Sequence, residues 1–166
     1  MRRIFRGVLI FAGVMALAIQ FVRPARTNPP VDPARRVHAA VEVPAEVSAI
    51  LERACRDCHS NETRWPWYSH VAPASWFVID HVNHGRSHLN FSEWNPPGAQ
   101  LPAANVDDLL GAICKEVQAG AMPLPSYLLV HRRSRLSKTD VRALCSWTEL
   151  ERQRLASQSR PGSTTP

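Results

Sequence analysis

At 166 residues, with 20 Lys and Arg against 14 Asp and Glu, the chain is basic, at a formal net charge of +6, and long enough for one domain plus tails. The basic residues crowd toward the two ends, and no zinc-finger, RRM-like or homeodomain-like pattern lies between them. The charge therefore suits an anionic lipid surface or an acidic partner, and nucleic acid is excluded as the expected ligand.

Met1 to Arg6 is a short basic stretch, and Gly7 to Val22 is apolar with one strongly polar residue, Gln20. Arg23-Pro24 ends the run. A positive start and an apolar stretch mark a secretory signal or a membrane anchor. Ile4 to Val22 approaches the ~20 residues that cross a bilayer. Residues 1–23 therefore read as an uncleaved signal anchor, a single transmembrane helix. Cleavage after Ala18, in Ala16-Leu17-Ala18, is the alternative, although it leaves only Val8 to Met15 as the apolar region. The positive-inside rule puts the N-terminus in the cytoplasm and the rest on the outer face. For a bacterial inner membrane that face is the periplasm.

Residues 24–44 carry Pro24, Pro29, Pro30, Pro33 and Pro44, which disfavour helix. They read as an extended, semi-rigid linker holding a domain off the membrane. The domain itself is expected over 45–154. Pro44 to Ala54 reads as a helix with Val47, Ile50, Leu51 and Ala54 on one face. Residues 61–69 read as a loop with Trp65-Pro66-Trp67-Tyr68. A second helix is predicted from Pro73 or Ala74 to about His84, with Gly85 close to its end. Asn90 to Ala103 reads as a Pro-rich loop. Asn105 is placed to cap a third helix that runs to Ala119 and stops at Gly120. Its apolar face is Leu109, Leu110, Ile113, Cys114 and Val117. Residues 121–126 read as a loop. Ser137 and Asp140 form a capping box for a last helix, and residues 155–166 read as a disordered tail. No strand alternation stands out. The expected fold class is all-α, with long loops of the kind that wrap a large apolar cofactor.

Cys55-Arg56-Asp57-Cys58-His59 fits the c-type haem attachment pattern. Two thiols a turn apart add to the porphyrin vinyl groups, and His59 then lies where it can ligate iron. Three other readings compete. A zinc site lacks a second Cys-x-x-Cys or a spaced His pair. A thioredoxin-like pair lacks a βαβ context. A Cys55–Cys58 disulfide would close a small strained loop. For the sixth iron ligand Met122 is the leading candidate: it follows a helix ending at Gly120, and Pro123 and Pro125 stiffen its loop. The alternative is that it fills the core. The rivals are His70, His81, His84, His88 and His131.

The stretches Cys55 to Tyr68, Asn83-His-Gly-Arg-Ser-His-Leu-Asn-Phe-Ser-Glu-Trp94 and Gly120-Ala-Met-Pro-Leu-Pro-Ser-Tyr127 resemble the signature of the bacterial haem-binding domain family. These are small c-type cytochrome-like proteins. Arg26-Thr-Asn-Pro-Pro-Val31 is similar to the segment that follows the anchor there. The resemblance covers most of residues 19–150. It implies an exported cytochrome c-like helical domain, with haem c attached through Cys55 and Cys58 and His59 as an iron ligand. Met122 matches the Met-Pro of cytochrome c-like distal loops. No particular reaction is implied.

With two cysteines assigned to haem, Cys114 and Cys145 remain to pair, and an exported domain sits where disulfides persist; two buried free thiols are the alternative. Several of Trp65, Trp67, Tyr68, Trp76 and Trp94 are expected against the haem, and Arg64 and Arg86 are candidates for its propionates. The expected function is membrane-tethered electron transfer with an unidentified redox partner protein, not enzymatic catalysis. A haem-based redox or gas sensor, or an accessory haem enzyme domain, with a displaceable sixth ligand is the alternative.

Overall fold

The computed structural model describes residues 1–94 and 103–158. Among them are eight α-helices and no strand: α1 Arg2–Ala18, α2 Val37–Ala40, α3 Ala45–Ala54, α4 Arg56–His59, α5 Ala74–His88, α6 Ala103–Gln118, α7 Pro125–Leu128 and α8 Lys138–Gln158. The all-α expectation holds. With its 3-10 extension Ile19–Phe21, α1 forms a 20-residue apolar helix, long enough to cross a membrane, with no side chain buried in the protein.

The core forms where the apolar stripes of α3, α6 and α8 meet. Val47, Ile50 and Leu51 from α3 pack with Leu110, Ile113 and Val117 from α6 and with Leu144 and Trp147 from α8. Leu110 and Leu144 are fully buried, and each stabilises the fold by roughly 1.5–3 kcal/mol through removal from water. Cys114 and Cys145 form the expected disulfide between α6 and α8. Arg152 adds a two-pronged pair with Asp107, at 2.7 and 2.9 Å, on the outside of the same contact. The capping box is present: Asp140 N donates to Ser137 Oγ, and Ser137 N to Asp140 Oδ2. Gly120 takes φ +68°, the left-handed conformation that ends α6.

Several expectations need correction. Residues 24–44 are not a free tether. Val37 and Val41 are core residues, 2% and 3% exposed, and α2 fits a single turn between Pro33 and Pro44. Apolar anchors and side-chain donors outweigh the prolines' extended bias there. α5 does not stop near Gly85 but runs to His88. α6 starts at Ala103, ahead of Asn105. The loop at 121–126 gives way to α7, and a 3-10 turn, Trp67–His70, interrupts the loop at 61–69. α8 continues through Leu155, which packs against the core, to Gln158. The rest of the predicted tail, 159–166, and residues 95–102 of the Pro-rich loop lie outside the described residues.

Candidate functional site

Cys55 closes α3 and opens α4, so the Cys-x-x-Cys-His pentapeptide is a short helix set at a break from the one before it. The Cys58 and His59 amides both donate to the Cys55 carbonyl, at 3.2 and 3.0 Å. α5 crosses directly over this turn. A Cβ at Gly85 would lie 2.6 Å from the Cys58 carbonyl oxygen, so glycine is what lets the two backbones touch.

That close approach places the α5 carbonyls around His59. Its Nδ1 lies 3.0 Å from Gly85 O and 3.0 Å from Leu89 O. Both partners are acceptors only, so Nδ1 carries the proton and donates, and Nε2 keeps its lone pair. Burial lowers the His59 pKa below its ordinary value, against the two carbonyl hydrogen bonds, which raise it. The ring is thus a neutral, oriented donor at Nε2, the state a metal ligand needs.

The two thiols are free. Burial, then the neighbouring Cys58, pushes Cys55 up to about 12; burial, then Asp57, pushes Cys58 up to about 11. Thiol–disulfide exchange needs the opposite shift, so a thioredoxin-like role finds no support. Among the described residues no cluster of three or more His, Cys, Asp or Glu is arranged to hold a metal ion.

Cys58 borders a cavity of about 380 Å³ between α5 and the segment that includes α7. Its walls are mostly apolar: Pro66, Trp67, Phe77, Val78, Val82, Leu124, Leu129 and Val130. Some of the polar lining residues are linked to one another. Tyr68 and His131 share a 2.6 Å hydrogen bond, and Tyr127 stacks on His131 with ring centres 4.1 Å apart. Tyr127 also donates to Asp57 Oδ2 at 3.0 Å, which ties α7 to the pentapeptide. Burial pushes the hydroxyls of Tyr68 and Tyr127 up, so both stay protonated. Sequence reasoning assigned no role to Asp57, Phe77 or Tyr127. Asp57 carries no signal within its motif, and the other two are recognisable only once α5 and α7 face each other.

The remaining expected residues divide. Arg64 borders the cavity and pairs with Glu52 at 2.7 Å. Trp65 does not border it; its indole donates to Asn28 Oδ1. Trp76 donates to the Val22 carbonyl, and Trp94 is buried in the core. Of the five aromatic candidates, several of them expected against a haem, Trp67 and Tyr68 border the cavity. Arg86 is not free for a propionate. Its guanidinium donates to Ser60 O, Thr27 O, Asn28 Oδ1 and Thr63 Oγ1 at 2.7–3.0 Å, clamping the 27–28 segment onto the loop after the pentapeptide. Met122 and Cys55 pack against the hydrophobic core. Neither they nor His59 is a wall residue of the cavity. His81 and His131 are. His84 and His88 face each other on the surface, 3.1 Å between their Nε2 atoms, and His70 is exposed.

The Asn90 to Trp94 stretch folds back onto the pentapeptide. Phe91 N donates to the His59 carbonyl, Asn90 Nδ2 to Asn61 Oδ1, and Ser92 Oγ accepts from Asn61 N. Two motifs far apart in the chain thus build one wall around His59. A haem fits this donor set: two free thiols one turn apart, an imidazole whose Nδ1 is engaged so that Nε2 keeps its lone pair, and an apolar cavity against one of the thiols.

The family model described as a haem-binding domain matches residues 14–150. No curated protein and no solved structure matches the chain.

Proposed function

The chain belongs to the haem-binding domain family, and from that premise we propose that it carries a c-type haem bound covalently through Cys55 and Cys58, with His59 Nε2 as an axial ligand. The observation that carries the reading is the pairing of free Cys55 and Cys58 thiols with a His59 whose Nδ1 is held by two carbonyls. When bound, the haem supplies an iron that cycles between two oxidation states. The protein's own residues do the rest. Gly85 and Leu89 orient the imidazole, Asp57 and Tyr127 hold α7 against the attachment turn, and the apolar walls exclude water. The function is electron transfer by a cytochrome c-like domain tethered by α1 to the inner membrane, facing the periplasm, with a protein redox partner and no enzymatic turnover. Met122 is the proposed sixth ligand. Arg64, at the cavity edge, is the remaining candidate for a propionate.

One observation favours a second reading, a redox or gas sensor with a displaceable sixth position. The wall residues include Tyr68, Tyr127 and His131 and no methionine. Expression with a cytochrome c maturation system tests both. Covalent haem should survive denaturing electrophoresis in the native chain and be lost in Cys55→Ala/Cys58→Ala. Absence of covalent haem in the native chain refutes the attachment. A low-spin native spectrum that turns high-spin in Met122→Ala supports the carrier. A native protein that is five-coordinate and binds CO supports the sensor.

A further inference from the structure

The chain leaving α1 grips one short stretch of the domain. Gln20 pairs with Ala72 in both directions: Nε2 donates to its carbonyl at 3.1 Å, and Oε1 accepts from its amide at 2.9 Å. Trp76 Nε1 donates to the Val22 carbonyl at 2.7 Å. Arg26 reaches the Ser69 carbonyl at 2.9 Å. In a spanning helix that begins at Arg2, positions 20–22 lie at the level of the lipid headgroups. A group hydrogen-bonded to Val22 lies there too. The grip leaves little freedom for the domain to stand away from the surface.

The gripped stretch and its immediate neighbours also expose large apolar side chains, as Leu129 and Val130 do on the other side of the cavity. Trp67 is 78% exposed, Val71 46% and Phe77 52%. Trp67 and Phe77 also wall the cavity proposed for the haem, but Val71 does not, and it directly precedes the gripped Ala72; apolar and aromatic residues at headgroup depth are what membrane interfaces favour. We infer that the face formed by Trp67, Val71 and Phe77 rests on the outer lipid surface of the membrane that α1 crosses. This rests on reading α1 as a retained anchor. Trp67 and Phe77 also wall the cavity beside Cys58, so the mouth of the site stands at the bilayer surface.

The test is photo-crosslinking in the membranes of cells expressing the full chain. The photoreactive residue p-benzoylphenylalanine is placed singly at Val71, at Phe77, at Val14 within α1, and at Leu150, which is 65% exposed on α8. Mass spectrometry reads lipid adducts. Adducts at positions 14, 71 and 77 with none at 150 are expected. Adducts at 14 with none at 71 or 77 overturn the inference and leave the anchor standing. No adduct at 14 removes the anchor reading, and the inference with it.

Discussion

Gly85→Ala tests the contact on which the site depends. In most helix interiors, replacing Gly by Ala gains about 1 kcal/mol, because Ala loses less conformational freedom on folding. At Gly85 the added Cβ would lie 2.6 Å from the Cys58 carbonyl oxygen and 3.3 Å from the Cys58 carbonyl carbon. Close C···O contacts settle near 3.3 Å, so α5 must move off the attachment turn by about 0.7 Å. The obstacle is backbone and cannot swing aside. Overpacking of this kind costs about 1–3 kcal/mol, and after the helix-propensity gain a net loss of up to about 2 kcal/mol remains. Gly111→Ala in α6 is the matched control: its new Cβ meets only the Arg152 guanidinium, at 3.8 Å, so a gain of up to about 1 kcal/mol is expected. Equilibrium denaturation of both variants in detergent, followed by helical circular dichroism, compares the signs. The yield of covalent haem should fall in Gly85→Ala alone, because moving Gly85 also moves a carbonyl that orients His59. A Gly85→Ala protein as stable as the native chain, or more so, would refute the close approach of α5.

Opening the Cys114–Cys145 disulfide, which closes a 31-residue separation, should lower stability by roughly 3 kcal/mol; alkylation of both thiols without reductant would show that the bond is not formed. Arg86→Lys loses the fork that clamps residues 27–28 and should cost about 1–3 kcal/mol, with faster proteolysis between residues 24 and 31; an unchanged cleavage rate would count against the clamp. In the haem-free chain His59 sits below its ordinary value of 6.5, so the unfolded state binds more protons just below that pH. Stability should therefore decline as pH falls through about 6.5. Asp107 and Asp140, also held below their ordinary 3.8, act only in more acid solution. A denaturation midpoint that stays flat or rises from pH 7.5 to 5.5 would contradict the buried neutral imidazole.

What the sequence made legible was local. The 3.6-residue spacing of Val47, Ile50, Leu51 and Ala54, the Ser137–Asp140 box and the left-handed Gly120 each act within one or two turns, so each could be read in place. The pentapeptide could be singled out because the spacing that c-type attachment would require is itself local. Gly85 misled because a glycine three residues before a helix end looks like a terminator. Its actual cause, the Cys58 carbonyl, lies 27 positions away in the chain. Trp65 and Trp67 are two residues apart with the same local character, yet one serves Asn28 and the other the cavity. Only the fold of the linker against the loop decides between them.

Gln20 shows the limit most clearly. Within an apolar run it is a blemish, the single strongly polar side chain near the end of a helix long and apolar enough to cross a membrane. A buried or interfacial amide must satisfy both its donor and its acceptor, and the sequence nearby supplies only the Ala16 carbonyl, one turn back. The structure supplies Ala72, 52 residues on, whose amide and carbonyl match the two ends of the side chain. The same reasoning applies to Asn28, whose side chain takes hydrogen bonds from Trp65 and Arg86 and gives one to the Thr63 carbonyl. Gln20 and Asn28 are therefore better understood as clamps onto distant partners than as marks of solvent exposure. Together they couple the end of α1 to the loop that follows His59, so the site is oriented by the segment that sequence periodicity describes least.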